Sequence, residues 1–156
     1  MYLPKMPFKK SIVGGTFDNF HKGHQDLIKT AIDLSTSVVI GMTSDQFAQK
    51  FRTGDVDSFK KRSDVISHFC KTLGKDFKII EINDFYGPST TDPSIEAIIV
   101  SEETALRAKE INAIRVKKGL NKLVIVEVPF TLAEDGKPIS SERIREGEID
   151  GDGNLA

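Results

Sequence analysis

Short apolar runs rich in isoleucine and valine alternate along the chain with amphipathic stretches, in the order expected of βαβ units. The runs lack the strict polar alternation of a half-exposed sheet, which predicts parallel strands that are buried on both faces. The predicted strands are residues 11–14, 37–42, 77–82, 97–100 and 122–128.

Three helices are predicted between and after these runs. Residues 23–34 and 62–73 carry apolar side chains every three or four positions, which is typical of crossover helices that pack on a sheet. Residues 102–118 begin with two acids, end with basic residues and precede a glycine, the order that a helix dipole favours. Together these elements predict an α/β fold: a Rossmann-like, open five-stranded parallel sheet flanked by helices, in one domain over residues 1–145.

Polar connections separate these elements at residues 52–61, 83–94 and 131–138. The second connection follows a strand directly, and ligands of open α/β sheets bind beyond the carboxyl ends of the strands, so it is a candidate substrate loop. Residues 146–156 are acidic and glycine-rich with few apolar side chains, which predicts a flexible, frayed tail.

The first predicted strand leads into the segment GGTFDNFHKGH, residues 14–24. Gly14 and Gly15 let the backbone approach a ligand closely, and the N–H groups of the following helix present positive partial charge to an anion. His21 and His24 are three positions apart, so both side chains can touch one phosphate if the helix has begun. A histidine beside a turn is often only a capping or solvated side chain, but two of the three histidines lie here. The segment predicts a phosphate site.

Other nucleotide and hydrolase motifs are missing from the sequence. No GxGxxG follows the first strand, and Gly136-Lys137 is followed by Pro138 rather than by the serine or threonine of a P-loop. HExxH and GxSxG are also absent. Dinucleotide oxidoreductases, P-loop NTPases, zinc proteases and α/β-hydrolases therefore lose their main support.

Two segments resemble the signature of a known superfamily. Residues 15–18, GTFD, followed by residues 21–24, HKGH, are similar to the GTFD and HxGH motifs of the HIGH-type nucleotidylyltransferases. Residues 139–145, ISSERIR, resemble the second motif of that superfamily, ISSTxxR. One departure is Glu142, which stands where the motif has a threonine.

Further segments narrow the resemblance to one family. GMTSDQF at residues 41–47, YGP at residues 86–88 and VSEET at residues 100–104 are most similar to the archaeal and eukaryotic type of phosphopantetheine adenylyltransferase. The resemblance spans residues 11–145 and implies a reaction of coenzyme A biosynthesis. ATP and 4'-phosphopantetheine would give dephospho-CoA and pyrophosphate, with Mg²⁺ bound through the ATP phosphates and no metal ligands from the protein.

The resemblance also implies roles for individual residues. His24 would contact the α-phosphate and stabilise the pentavalent transition state, His21 would support the β-side of the nucleotide, and Thr16 would lie near the transferred phosphate. The predicted ATP site consists of Gly14, Gly15, Thr16, His21, His24, Ser101, Glu103, Ser140, Ser141 and Arg145.

Residues of the predicted acceptor site come from two loops. By resemblance, Tyr86, Gly87 and Pro88 would hold the pantetheine arm. Lys50 is the first choice for the acceptor phosphate, because a basic loop can act as a lid that neutralises substrate charge. This loop contains Lys50, Arg52, Lys60, Lys61 and Arg62.

Composition changes this picture little. With 22 basic and 23 acidic residues the net charge is −1, which gives no general field for nucleic acid or an anionic membrane. One cysteine and the absence of an apolar leader or span in the sequence favour the cytoplasm. No apolar stripe identifies an oligomer interface, and a monomer is expected.

Two alternatives stay open at the level of sequence. The chain can be a sister nucleotidylyltransferase with another acceptor, such as a glycerol-phosphate cytidylyltransferase or an NMN or FMN adenylyltransferase. It can also be a nucleotide-binding module without catalytic activity, for which Glu142 is the sequence support.

Overall fold

The computed structural model describes residues 6–51 and 54–156. Within these residues, parallel strands pair side by side in one five-stranded sheet of order β3-β2-β1-β4-β5. The strands are β1 Phe8–Gly15, β2 Ser35–Thr43, β3 Asp76–Ile82, β4 Ala97–Ser101 and β5 Val124–Val128. This is the predicted Rossmann-like arrangement, and each predicted strand is found within two or three residues of its predicted bounds.

Helices pack on both faces of the sheet. The bounds are α1 Lys22–Leu34, α2 Asp45–Phe51, α3 Phe59–Thr72, α4 Ala105–Lys117 and α5 Ser141–Arg145, with a 3₁₀ turn at Gly87–Thr90. Helices α1 and α3 share one apolar core with the sheet, and α4 packs in a second core on the opposite face. Burial in the first core raises the pKa of the Cys70 thiol to about 11, so this side chain behaves as an apolar core residue.

Strands β3 and β5 correct the prediction that each strand is buried on both faces. They are the edges of the sheet, and Val124 of β5 is 51% exposed. Lys78 and Glu81 of β3 are exposed as well. A run of apolar residues indicates a strand, but it does not show whether a neighbour covers that strand.

Two helix boundaries also differ from the prediction. Helix α4 begins at Ala105 rather than at residue 102, because Glu102 and Glu103 form a turn that precedes it. Helix α3 begins three residues earlier than predicted, where the Ser58 hydroxyl accepts a hydrogen bond from the Lys61 N–H at 3.2 Å. Helix α2 lies in a stretch for which no helix was predicted.

Residues 146–156 do not extend from the domain as the predicted frayed tail would. Ile149 is buried in a small apolar cluster with Ala133 and Ile139. The Gly151 carbonyl accepts a hydrogen bond from the Lys22 N–H at 2.9 Å. The prediction of a frayed tail was wrong because it rested on the acidic composition of the segment, in which one isoleucine, Ile149, is enough to pack the segment on the domain.

None of the helices in the described parts of the chain is long and apolar enough to cross a membrane.

Candidate active site

An open cleft of about 760 Å³ lies at the carboxyl ends of the strands, where the strand order changes direction between β1 and β4. Clefts at this position and of this size are the usual ligand sites of open α/β sheets. Nine of the sequence-predicted site residues line it: Gly14, Gly15, Thr16, His21, His24, Ser101, Glu103, Ser140 and Ser141.

Two groups of lining residues differ in chemistry. The histidine group lies on the loop after β1, on the first turn of α1 and at the start of α5, and it consists of Thr16, His21, Gly23, His24, Ser140 and Ser141. The aromatic group lies on α2, on the loop after β3 and on α4, and it consists of Phe47, Phe51, Phe85 and Leu106.

The two histidines form a reciprocal cap at the start of α1. His21 is the N-cap residue; its Nδ1 accepts from the His24 N–H, and His24 Nδ1 accepts from the His21 N–H, both at 3.3 Å. The rings stack with centroids 3.6 Å apart. A nitrogen that accepts a hydrogen bond carries no proton, so the proton of each neutral ring lies on Nε2. In each neutral imidazole, Nε2 is therefore the nitrogen that can donate a hydrogen bond.

Aromatic side chains hold His24 in place. The ring of Phe17 meets it edge-on at 5.3 Å, and the ring of Phe20 stacks on it at 5.9 Å. Phe17 and Asn19 have φ angles of 54° and 49°, in the left-handed region that residues other than glycine seldom adopt. Such backbone strain is common in loops that present catalytic groups, because the surrounding packing maintains it.

The backbone N–H groups in the first turn of α1 differ in whether they have a partner. The Lys22 N–H is bonded to the Gly151 carbonyl, and the His24 N–H to the His21 ring. The Gly23 N–H, by contrast, has no hydrogen-bond partner among the residues that the structure describes, and Gly23 lines the cleft. A donor at the N-terminus of a helix attracts an anion such as a phosphate.

The two serines of ISSE have different structural roles. Ser140 is the N-cap of α5, and its hydroxyl accepts from the Arg143 N–H at 3.2 Å. Ser141 is 5% exposed and donates its hydroxyl proton to the Asp18 carbonyl at 2.5 Å. The second bond ties α5 to the loop that carries the histidines.

Arg145 is not among the residues that line the cleft. One of its guanidinium nitrogens lies 3.7 Å from a carboxylate oxygen of Asp18, which is 2% exposed. Asp18 and Arg145 thus connect the loop after β1 to α5, and the predicted phosphate contact of Arg145 stays a prediction.

The turn between β4 and α4 brings Ser101 and Glu103 to the cleft as predicted. Thr104 occupies the N-cap position of α4, but its hydroxyl accepts from the Ser101 N–H at 3.1 Å rather than from the helix. The turn is held by this local bond.

The predicted acceptor residues lie outside the cleft lining. Tyr86, Gly87 and Pro88 form a tight turn in which the Asp84 carboxylate accepts from two backbone N–H groups. Gly87 has a φ of 51°, and a Cβ there would meet Ile82 at 2.5 Å, so this glycine serves the turn. Asp84 and the adjacent Phe85 line the cleft instead.

The predicted basic lid is not a single surface. Lys50 is exposed on the last turn of α2 and does not line the cleft, and Arg52 lies outside the described residues. Lys60 and Lys61 pair with nearby carboxylates on the surface of α3. Arg62, in contrast, is only 3% exposed.

Sequence reasoning missed the aromatic group. The rings of Phe47, Phe51 and Phe85 contact one another with centroids 4.8–5.0 Å apart. The Arg107 guanidinium carbon lies 3.6 Å from the centroid of the Phe85 ring. The spacing of Phe47 and Phe51, four positions apart, was the available signal, since it places both rings on one face of a helix.

Comparisons with known proteins agree with this geometry. Residues 12–147 match the profile of the cytidylyltransferase-like family. The chain is similar to the phosphopantetheine adenylyltransferase of Methanothermobacter thermautotrophicus, with 41% identity over 97% of this chain and 92% of that protein. It is also similar to the phosphopantetheine adenylyltransferase of Methanopyrus kandleri, with 42% identity over 94% of each chain. A crystal structure of a protein of unknown function from Archaeoglobus fulgidus has a TM-score of 0.70 and 35% identity, covering 78% of this chain and 89% of that one.

Proposed function

The chain belongs to the cytidylyltransferase-like family and, within it, to the phosphopantetheine adenylyltransferases, and from this premise we propose how it acts. It is a nucleotidyltransferase that moves the adenylyl group of ATP to 4'-phosphopantetheine, giving dephospho-CoA and pyrophosphate in coenzyme A biosynthesis. The observation that carries this proposal is the stacked histidine pair, which lines the same cleft as Gly23 at the start of α1.

Transfer needs little covalent chemistry from the protein. An oxygen of the acceptor phosphate forms a bond to the α-phosphorus of ATP, and the bond from that phosphorus to the bridging oxygen breaks. The electron pair of the broken bond leaves with pyrophosphate. Because the acceptor is already an anion, no general base is obligatory, and catalysis rests on positioning and on charge stabilisation.

The histidine group supplies the donors that this step requires. In the proposed roles, His24 donates to the α-phosphate as negative charge develops there, and His21 donates on the β-side. Their fixed Nδ1 partners support these roles, because a donor that is already oriented needs no reorganisation during the reaction. Gly14, Gly15 and Ser101 would line the nucleotide.

Mg²⁺ is proposed as a companion of ATP rather than as a resident of the protein. No group of three or more histidine, cysteine, aspartate or glutamate side chains in residues 6–51 and 54–156 is arranged to hold a metal ion. A cation bridging ATP oxygens would reduce their mutual repulsion when bound, and it needs no protein ligand for this.

The acceptor is proposed to bind along the aromatic group. Phe51 is 57% and Phe85 44% exposed, and rings that remain exposed beside a cleft mark a binding surface. They would cover the apolar part of a pantetheine arm, while the acceptor phosphate points toward the histidine group. This assignment replaces Tyr86, Gly87 and Pro88 as the principal arm contacts.

The position of Glu142 weakens the case for a module without catalytic activity. Glu142 is exposed on the first turn of α5 and does not line the cleft. The departure from the ISST motif therefore lies at a position outside the cleft lining.

A substrate panel tests the proposal. The protein is incubated with ATP or CTP and with 4'-phosphopantetheine, glycerol phosphate, NMN or FMN, and pyrophosphate release is measured. We expect release with ATP and 4'-phosphopantetheine. Release with CTP and glycerol phosphate, but not with ATP and 4'-phosphopantetheine, would overturn the assignment.

Cytoplasmic location, a monomeric state and the absence of nucleic-acid or membrane partners remain predictions from composition.

A further inference from the structure

Arg62 is a buried arginine of α3 that contacts two residues of the cleft lining, Thr16 and Thr43. Its Nη1 donates to the carbonyl oxygens of Thr16 and Thr43, both at 2.9 Å. Its Nε donates to the Asp57 carbonyl at 2.8 Å, and its Nη2 to the Asp45 carboxylate at 3.0 Å. One guanidinium therefore joins the ends of β1 and β2 to the loop that precedes α3.

The hydroxyl groups of the same two threonines form a directed chain. Thr43 Oγ1 lies 3.5 Å from Arg62 Nη1, from which it accepts, and it donates to Thr16 Oγ1 at 3.0 Å. Because the Thr16 oxygen accepts this proton, its own proton is available to another acceptor. Thr16 lines the cleft, so a ligand in the cleft can accept this proton.

We propose that Arg62 is a positioning residue that fixes both the backbone and the donor direction of Thr16. This inference rests on the proposed function, because it gives Thr16 the role of donor to a phosphate oxygen of the reacting substrates. Hydrogen bonds from a buried cation are short and strong, and a guanidinium presents its donors in a fixed plane. A lysine has the same charge but does not reproduce this geometry.

Arg115 provides a matched control. It is 1% exposed and donates to three carbonyl oxygens, those of Asn121, Ser89 and Asp92, at 2.6, 2.8 and 3.0 Å. None of these partners lines the cleft. Arg62→Lys and Arg115→Lys therefore remove the same kind of buried network at two places, only one of which contacts the cleft.

The experiment compares kcat, KM and thermal stability of the two variants, using the acceptor that the wild-type protein turns over. We expect both to unfold at lower temperature. Arg62→Lys should also lower kcat by about tenfold to a hundredfold, since small displacements of a positioned group cost that much, with little change in the KM for ATP. Arg115→Lys should retain the kcat of the wild type.

A double-mutant cycle separates positioning from general destabilisation. If Arg62 acts through Thr16, Arg62→Lys should reduce kcat far less in a Thr16→Ala background than in the wild type. Additive effects, or equal losses of kcat in Arg62→Lys and Arg115→Lys, would overturn the proposal. If Arg62→Lys does not fold, Arg62→Gln takes its place in both measurements.

NMR chemical shifts give a readout that does not depend on turnover. The amide shifts of Phe17 and Ser44, which belong to the same peptide groups as the Thr16 and Thr43 carbonyls that Arg62 binds, should change more in Arg62→Lys than in Arg115→Lys. Equal shift changes in the two variants would contradict the inference. A wild-type protein that is inactive in the substrate panel would contradict the proposed function alone, since the NMR comparison still stands.

Discussion

The histidine group and the aromatic group line the same cleft but are built in different ways. His21, Thr16 and Ser141 are at most 8% exposed and are held by hydrogen bonds to the backbone. Phe85 and Leu106 are 44% and 73% exposed. Phe85 is held by contacts with other side chains, such as that with the ring of Phe47. In the proposed function, this difference means that the first group is preformed for chemistry, whereas the second would become buried when the acceptor covers it.

The largest effect is expected for His24→Ala. Loss of one oriented donor to a developing charge typically reduces the rate by about 10²–10³. We therefore expect kcat, measured as pyrophosphate release, to fall by this factor in a folded protein whose thermal unfolding midpoint is lower, since the reciprocal cap of α1 is lost as well. His68→Ala is the control, because His68 is exposed on α3 and does not line the cleft. Unchanged turnover in His24→Ala would remove the assigned role of the histidine group.

Gly23→Ala tests whether the histidine group is as tightly preformed as its geometry indicates. A Cβ at residue 23 would lie 2.9 Å from Cε1 of His21, so the ring must move. We expect kcat to fall by about tenfold or more, since catalysis depends on sub-ångström placement. In the control Gly41→Ala, the new methyl group makes only an ordinary contact of 3.5 Å with Ile82. Equal activity in the two variants would show that the ring tolerates displacement.

Phe85→Ala addresses the aromatic group. Removal of the ring eliminates contacts with Phe47 and Phe51 and the stacking surface of Arg107. We expect the KM for the acceptor to rise about tenfold, equivalent to about 1.4 kcal/mol, with kcat and the KM for ATP nearly unchanged. Val116→Ala is the control. It removes an apolar side chain of α4 that is 52% exposed and does not line the cleft. A rise in the KM for ATP alone would reverse the assignment of the two groups.

Lys50→Ala is expected to have the smallest effect. Lys50 is exposed and lies outside the cleft lining, so the KM for the acceptor should rise less than in Phe85→Ala. Lys60→Ala, which removes a surface ion pair with Asp64, provides the comparison. A larger effect for Lys50→Ala would mean that α2 moves toward the acceptor in the bound state.

The sequence predicted the histidine group because its residues fall in two short segments, 14–24 and 139–145, each with a recognisable order. It did not predict the aromatic group, because Phe47, Phe85 and Leu106 become neighbours only after the crossover connections have formed. The alternation of apolar runs and helical periods predicted the sheet and its principal helices for the same local reason. Helix α2 was missed because seven residues are too few to show a clear period.

Charge was the least informative signal. Lys50, Arg62 and Arg145 are all basic residues near predicted loops, yet Lys50 is exposed, Arg62 is buried and Arg145 lies against Asp18. Residue type alone does not distinguish a lid residue, a positioning residue and an ion-pair partner. These roles depend on which backbone carbonyls and carboxylates the fold brings near each side chain. Burial and partner identity follow from tertiary contacts.

The bond from Ser141 to the Asp18 carbonyl joins residues that are 123 positions apart. The bond from the Lys22 N–H to the Gly151 carbonyl closes a loop of similar length. While a ribosome is still translating the chain, the segment with the histidines can emerge and form its helix, but these late contacts do not yet exist. We therefore expect a nascent chain that ends before residue 141 to leave this loop unanchored, so the ability to bind nucleotide should arise late in synthesis.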